Sequence, residues 1–239
     1  MTALLTQPSA ARTACRDRLL EGWAAELIEH DQRVAGLPVT VRFDGGVAHL
    51  TGAVDHPADL RLLRELLGRL DGVLGVWDRV RVAGRSVLAV DLGCGTTPQH
   101  PDNIGIDLLQ SEVTHVVADV SRPLPLRTGS VDRIFTVHVL EHLPDFLPLV
   151  DECHRVLCPG GVLHVLAPWW RHVNAVADPT HLRLFDVQTI KGLCARTGSP
   201  LRWYPLHVGC DGATVLADLT PLPPASPAPT AQHLARFFD

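Results

Sequence analysis

Three acids and one glycine turn carry the first chemistry in this chain. VLAVDLGCGTTPQ, residues 87–99, is a short β-branched run that ends in Asp91 and continues into Gly93-Cys94-Gly95. The run reads as a buried parallel strand. The two glycines let the backbone turn with no Cβ in the way. A flat polar ligand can lie against such a turn, as a nucleoside does at the C-terminal edge of a doubly wound sheet. NIGIDLL places Asp107 at the end of a second run, where a carboxylate can accept bonds from both hydroxyls of a ribose. Charge-assisted bonds of that kind contribute about 1.5–3 kcal/mol each. HVVADV ends a third run at Asp119, suited to an adenine amino group. Leu108 and Val120, next to the two acids, are expected against the same ligand. Cys94 reads as a small residue packed under it, not as a nucleophile.

A second group could move protons or hold a metal. His138 and His142 flank the expected start of a helix after a fourth apolar run, and Glu141 between them suits a cap at that start. His172, Asp178 and His181 follow a fifth run. Imidazole with carboxylate suits a divalent ion with open positions, so His172, Asp178 and His181 could form a metal site, with His138 or His142 added. The same groups could instead accept a proton or line a pocket. The chain holds 13 histidines, so chance clustering competes with both readings. Trp169, Trp170, Phe185, Trp203 and Tyr204 gather in one stretch of a chain only 5% aromatic. They suit an apolar wall for a flat small molecule, or ordinary core. Arg171 and Arg183 could pair with an anionic substrate group or face solvent.

The elements that must position these groups are short apolar runs separated by helix- or loop-sized spacers. That pattern predicts an α/β fold with a largely parallel sheet. SVDRIFTV is the fourth run, and VLHVLAP is the fifth, after the CPGG turn. LRWYPLHV and ATVLADL are expected to close the sheet as an antiparallel pair joined at Asp211-Gly212.

Together, DLGCG, the acid of GIDLL, the acid of ADV, the VDRIFTVHVLEHL block and the PGG turn before HVLAP resemble a class I S-adenosylmethionine-dependent methyltransferase over residues 85–220. The resemblance implies a Rossmann-like, mostly parallel sheet of seven strands with an antiparallel last strand, and S-adenosylmethionine as cofactor. Asp91, Gly93, Cys94, Gly95, Asp107, Leu108, Asp119, Val120 and His138 would bind it. His138 then lies where this family brings a side chain beside the methyl group, which makes it the first candidate for a base, with His142 and His181 behind it. Trp169, Trp170, His172, Asp178 and Phe185 would meet the acceptor. One departure is plain: only a dozen residues separate Gly95 from Asp107, and Pro98 and Pro101 fall among them. Proline resists helix interiors, so the helix usual there is shortened or absent. A subset of the family has this GCGxxP…GxD form with a later DPTHxR segment, and DPTHLR stands here at residues 178–183.

Residues 1–84 read as a separate αββαβ unit. An amphipathic helix over 13–34 uses Leu19, Leu20, Trp23, Leu27 and Ile28. A hairpin turns at Asp44-Gly45-Gly46, a leucine-faced helix runs over 57–70, and VLGVWDRVRVAG is the last strand. The order and the phrases FDGGVAHLTGAV and LDGVLGVWDRVRV resemble a BON domain, a non-catalytic binding or oligomerisation module. A homodimer through this unit, substrate presentation, or a structural cap over the site are its open roles. Residues 221–239 read as a Pro-rich tail, extended or disordered, whose Phe237 and Phe238 could dock on a neighbour.

A net charge of −5 disfavours non-specific binding to nucleic acid or membrane. The six cysteines form no CxxC pair, and the N-terminus lacks a charged start with an apolar core, so a cytoplasmic location with no secretory signal is expected. A dehydrogenase is disfavoured because the turn lacks the third glycine of GxGxxG. The resemblance, with the histidine cluster, implies O-methylation of a small molecule in secondary or natural-product metabolism. A sugar- or glycan-directed methyltransferase and an inactive cofactor-binding regulator are the alternatives.

Overall fold

The computed structural model describes residues 10–223 and 226–238. The chain divides into two compact units between Val87 and Leu88. The expected absence of a secretory signal rests partly on residues 1–9, outside the described residues.

The first unit runs α1 (Ala10–His30), β1 (Val39–Asp44), β2 (Val47–Val54), α2 (Pro57–Leu67), β3 (Gly75–Asp78) and β4 (Arg81–Val82). β1 pairs with β2 antiparallel, and β3 and β4 both lie parallel to β2. The expected last strand is thus two short pieces. Pro57 opens α2, where its missing N–H costs nothing. Leu60, Leu63, Leu66 and Leu67 form its buried face. α1 differs from expectation. Leu20 and Ala24 are buried, whereas Leu19 and Trp23 are about half exposed. The reason is that Asp17 takes an inward position, where its carboxylate accepts the N–H groups of Gly45 and Gly46 at 3.0 and 2.9 Å. The helix pins the hairpin turn instead of packing a wide apolar face.

The second unit holds one sheet. Its strands are β5 (Ala89–Leu92), β6 (Ile104–Asp107), β7 (Thr114–Val117), β8 (Val131–Val137), β9 (Leu157–Pro168), β10 (Arg202–Cys210) and β11 (Thr214–Leu222). Their order is β10-β11-β9-β8-β5-β6-β7. All neighbours from β9 to β7 are parallel, and β11 is antiparallel to both β9 and β10. The seven strands and the antiparallel last one are as the sequence led one to expect. The helices are α3 (Leu147–Val156), α4 (Asn174–Ala177), α5 (Val187–Cys194) and α6 (Ala231–Phe238).

Three local features bear on the fold. No helix forms between β5 and β6, where the prolines fall. The chain returns so tightly that a Cβ on Gly105 would lie 2.2 Å from the Val113 carbonyl oxygen. In the sheet centre, His164 on β9 and Asp218 on β11 are register partners, fully buried, with Nδ1 and Oδ1 2.6 Å apart. The tail departs from expectation: α6 buries Leu234 and Phe238 against its own unit. The side-chain hydroxyl of Thr230 accepts the His233 N–H at 3.2 Å, giving the helix a start that the proline-rich stretch before it masks. Among the described residues no helix is long and apolar enough to cross a membrane.

Candidate active site

The glycine turn leaves β5 at the C-terminal edge of the sheet. Gly93 and Gly95 have φ of 64° and 54°, the left-handed region that suits glycine. A Cβ on Gly93 would lie 2.6 Å from Cγ2 of Val139, so the turn sits directly on the residue after His138. Above Gly95 the space is open, with nothing within 4 Å of an added Cβ. Asp91 does not face that space. It is 2% exposed, and its carboxylate accepts the Gln99 N–H at 2.5 Å and Asn103 Nδ2 at 3.4 Å. Burial pushes its pKa up. Asp91 therefore folds the loop, with Asn103 as a partner that no local sequence signal marks. Cys94 is buried, with its thiol 3.8 Å from the Thr114 hydroxyl, and burial raises its pKa. A thiol held protonated is a packing residue.

Asp107 ends β6 beside the turn. Its Oδ2 accepts the Gly95 N–H at 2.8 Å, and its Oδ1 accepts the Leu109 N–H at 2.9 Å. Each oxygen keeps a lone pair for a ligand hydroxyl. Leu108 is 64% exposed next to it, and Val120 is half-buried. Asp119, in the loop after β7, accepts the Ser121 hydroxyl and N–H at 2.6 and 2.9 Å. Those bonds, the hydroxyl's first, lower its pKa.

His138 follows β8 directly. Its φ of 54° is a sparsely populated region for a non-glycine residue. Such strain concentrates at functional sites. Its Nδ1 lies 3.1 Å from Oε1 of Glu141, whose side chain is 1% exposed, while the imidazole itself is half exposed. Glu141 was expected to cap a helix. Instead it stands in a 3-10 turn, Leu140–His142, makes no cap bond, and orients His138. The helix proper starts later, where Asp145 accepts the Leu147 N–H at 3.0 Å.

The DPTHLR segment docks on this turn. The N–H groups of Leu182 and Arg183 donate to the Glu141 carbonyl at 2.7 and 3.0 Å. Arg183 Nε donates to the Pro144 carbonyl at 2.8 Å, so this guanidinium anchors the segment. His142 Nδ1 lies 3.0 Å from the Thr180 hydroxyl. The rings of His142 and His181 meet edge to face, 4.7 Å apart. His172, Asp178 and His181 do not assemble as a metal trio. His172 Nδ1 accepts the Asn174 N–H at 3.3 Å, and the Asp178 carboxylate turns back onto Thr180 at 2.8 and 2.6 Å. An Asx turn takes the oxygen that a metal would need. Among the described residues, the potential ligand group is Glu141, His142 and His181.

The aromatic stretch splits. Phe185 and Trp203 are core residues, 1% and 2% exposed. Phe185 packs against Phe146, and this burial removes it from any acceptor wall. Tyr204 bonds His233 of α6 at 2.6 Å. Trp169 and Trp170 both donate their indole N–H to Oδ2 of Asp186, at 2.9 and 3.1 Å, and Arg171 lies over the Trp170 ring at 4.8 Å. Asp186 also caps α5 in a capping box with Thr189. The Asp-x-x-Thr spacing was the available signal for it. Burial alone would raise the Asp186 pKa, but the bonds from Gln188 and the two indoles lower it on balance. Asp186→Ala should therefore cost about 1 kcal/mol or more from the lost cap. The wild-type advantage is present above the ordinary carboxylate pKa and fades as pH falls through the lowered one. Urea melts of both chains at neutral and acid pH check this; a constant difference contradicts it.

Residues 79–165 match the family model for the methyltransferase domain. A relative from Mycolicibacterium smegmatis, described as a probable S-adenosylmethionine-dependent methyltransferase, is 38% identical over 104 residues. The match takes in 37% of this chain, and the chain spans 40% of that relative's length. Among solved structures, the chain is similar to an S-adenosylmethionine-dependent methyltransferase of Aquifex aeolicus, with a TM-score of 0.44, 14% identity, 57% of this chain and 82% of that one. It is also similar to one from Archaeoglobus fulgidus, with a TM-score of 0.38, 18% identity, 50% of this chain and 64% of that one. By the family match and the sequence relative, residues 79–165 are similar to a methyltransferase domain.

Proposed function

We propose that this protein methylates an oxygen of a small, largely apolar molecule. The observation that carries the reading is His138, half exposed at the end of β8 beside the glycine turn, with its Nδ1 held by a buried carboxylate. The cradle suits the cofactor. The open space over Gly95, the free lone pairs of Asp107 and the exposed Leu108 offer room, hydroxyl acceptors and an apolar surface for a nucleoside. Asp107 would hold the ribose, and Asp119 would accept from the adenine. When bound, the cofactor supplies an electrophilic methyl on a sulfonium.

The chain's own task is then alignment and proton removal. Glu141 fixes the His138 ring, as a buried carboxylate does for an imidazole it orients. The other ring nitrogen, Nε2, is left to take the acceptor's hydroxyl proton. Trp170, Val173, Val176, Leu182 and Leu184 are each between 42% and 66% exposed in the segment after β9. These exposed apolar side chains in one segment support the reading of an apolar acceptor. The N-terminal unit is assigned a non-catalytic part on its BON-like order, holding a second copy of the chain. The cytoplasm is the proposed location, on the pattern of the cysteines.

The test is a methyl-transfer assay on the full chain with labelled cofactor and a panel of phenols, aliphatic alcohols, sugars and amines. Label in a phenol or alcohol supports the reading. Transfer to sugars or amines alone overturns the acceptor class.

A further inference from the structure

The docked segment carries chemistry beyond the methyl-transfer machinery. Glu141, His142 and His181 each place one ligand-type atom within 4.8 Å of the other two. Such proximity alone is common on protein surfaces. Here two further facts single it out. Glu141 is 1% exposed and its Oε2 is buried with no hydrogen-bond partner; His181 has its side chain 8% exposed and its Nδ1 likewise buried without one. A buried carboxylate oxygen left unsatisfied costs about 1–3 kcal/mol or more, so folds seldom keep one without use.

The surroundings are those of metal ligands. Ligating histidines are held by a second hydrogen bond or carboxylate that fixes the ring. His142 has the Thr180 hydroxyl at 3.0 Å on Nδ1, and His181 has the Asp178 carboxylate 3.8 Å from Nε2. Glu141 has His138 on its other oxygen. Each of the three thus has one polar atom engaged by a neighbour and another left over.

We propose that Glu141, His142 and His181 bind one first-row divalent cation of the zinc class. Two imidazoles and one carboxylate are a recurrent set for such ions, and they leave at least one coordination position for water or a ligand oxygen. The ion fixes Glu141 and, through it, the ring of His138. Its role at the site rests on the methyl-transfer reading, but its binding does not.

The experiment uses the full chain, stripped with chelator and titrated with Zn²⁺ by calorimetry, with Co²⁺ absorption as a second readout. One ion per chain is expected, with a rise in melting temperature on loading. His142→Ala, at a half-exposed position that tolerates the change, and His181→Ala should each weaken Zn²⁺ binding by more than the roughly 10–100-fold that loss of a supporting residue causes. His172→Ala, outside the cluster, should leave it unchanged. S-adenosylhomocysteine binding, measured on the same samples, should persist in all three variants. The absence of a stoichiometric ion in the wild type, or unchanged Zn²⁺ binding in both His142→Ala and His181→Ala, overturns the site. Loss of S-adenosylhomocysteine binding in the wild type, with Zn²⁺ still bound, overturns the methyl-transfer reading and leaves the site standing.

Discussion

His138→Ala lowers turnover by roughly a hundred- to ten-thousandfold, the range that a positioned general base contributes. Cofactor affinity changes far less, because the imidazole acts on the acceptor's proton. The expectation has a structural root. The residue sits in a left-handed conformation, φ 54°, immediately after the central strand β8. Its backbone N–H donates to the Leu166 carbonyl on β9 at 3.0 Å, so the position is fixed from both sides. Glu141→Gln keeps the shape but removes the charge that orients the ring, and should produce a smaller loss of the same kind. Single-turnover kinetics with a responsive acceptor separate the chemical step from binding. A His138→Ala chain that retains its rate assigns catalysis to alignment alone.

Asp107→Ala weakens cofactor binding by roughly ten- to a hundredfold through the lost charge-assisted bonds. The effect is larger than that of an exposed carboxylate in general because Asp107 is also structural. It accepts the Gly95 N–H at 2.8 Å and so shapes the turn against which the proposed ligand would lie. Asp107→Asn retains an oxygen for one of these bonds and should fall between the two. Equilibrium dialysis against labelled S-adenosylmethionine reads the ratio directly, with circular dichroism to show that the sheet is intact. Equal affinities in wild type and Asp107→Ala remove Asp107 from the ribose site.

Much of this arrangement was legible in the sequence because strand ends and glycines announce themselves locally. The run before Asp91, the turn at Gly93 and Gly95, and the prolines that forbid a helix before Asp107 are all short-range signals. The antiparallel pair at Asp211-Gly212 is another; Oδ1 of Asp211 accepts the Ala213 and Thr214 N–H groups at 2.8 and 2.7 Å. What could not be read were partnerships across sequence distance. Glu141 looked like a cap, because a cap is the local use of an acid near a helix start. Its carboxylate instead holds His138, and its backbone carbonyl accepts from Leu182 and Arg183, some forty residues on in sequence. His172 and Asp178 looked like ligands beside His181, but an Asx turn at Asp178 claims its carboxylate. Phe185 has the composition of a pocket wall and the burial of a core residue. The proline-rich tail concealed α6, since Ala231–Phe238 forms a short amphipathic helix that only docking stabilises.

The most direct test of the account is calorimetric titration of the full chain with S-adenosylhomocysteine, the product form of the cofactor. Saturable binding at one site per chain is expected, with heat that collapses when Asp107 is replaced by Ala. A folded wild-type chain that takes up no S-adenosylhomocysteine contradicts the cofactor site built on Gly93, Gly95 and Asp107, and the proposed methyl transfer falls with it.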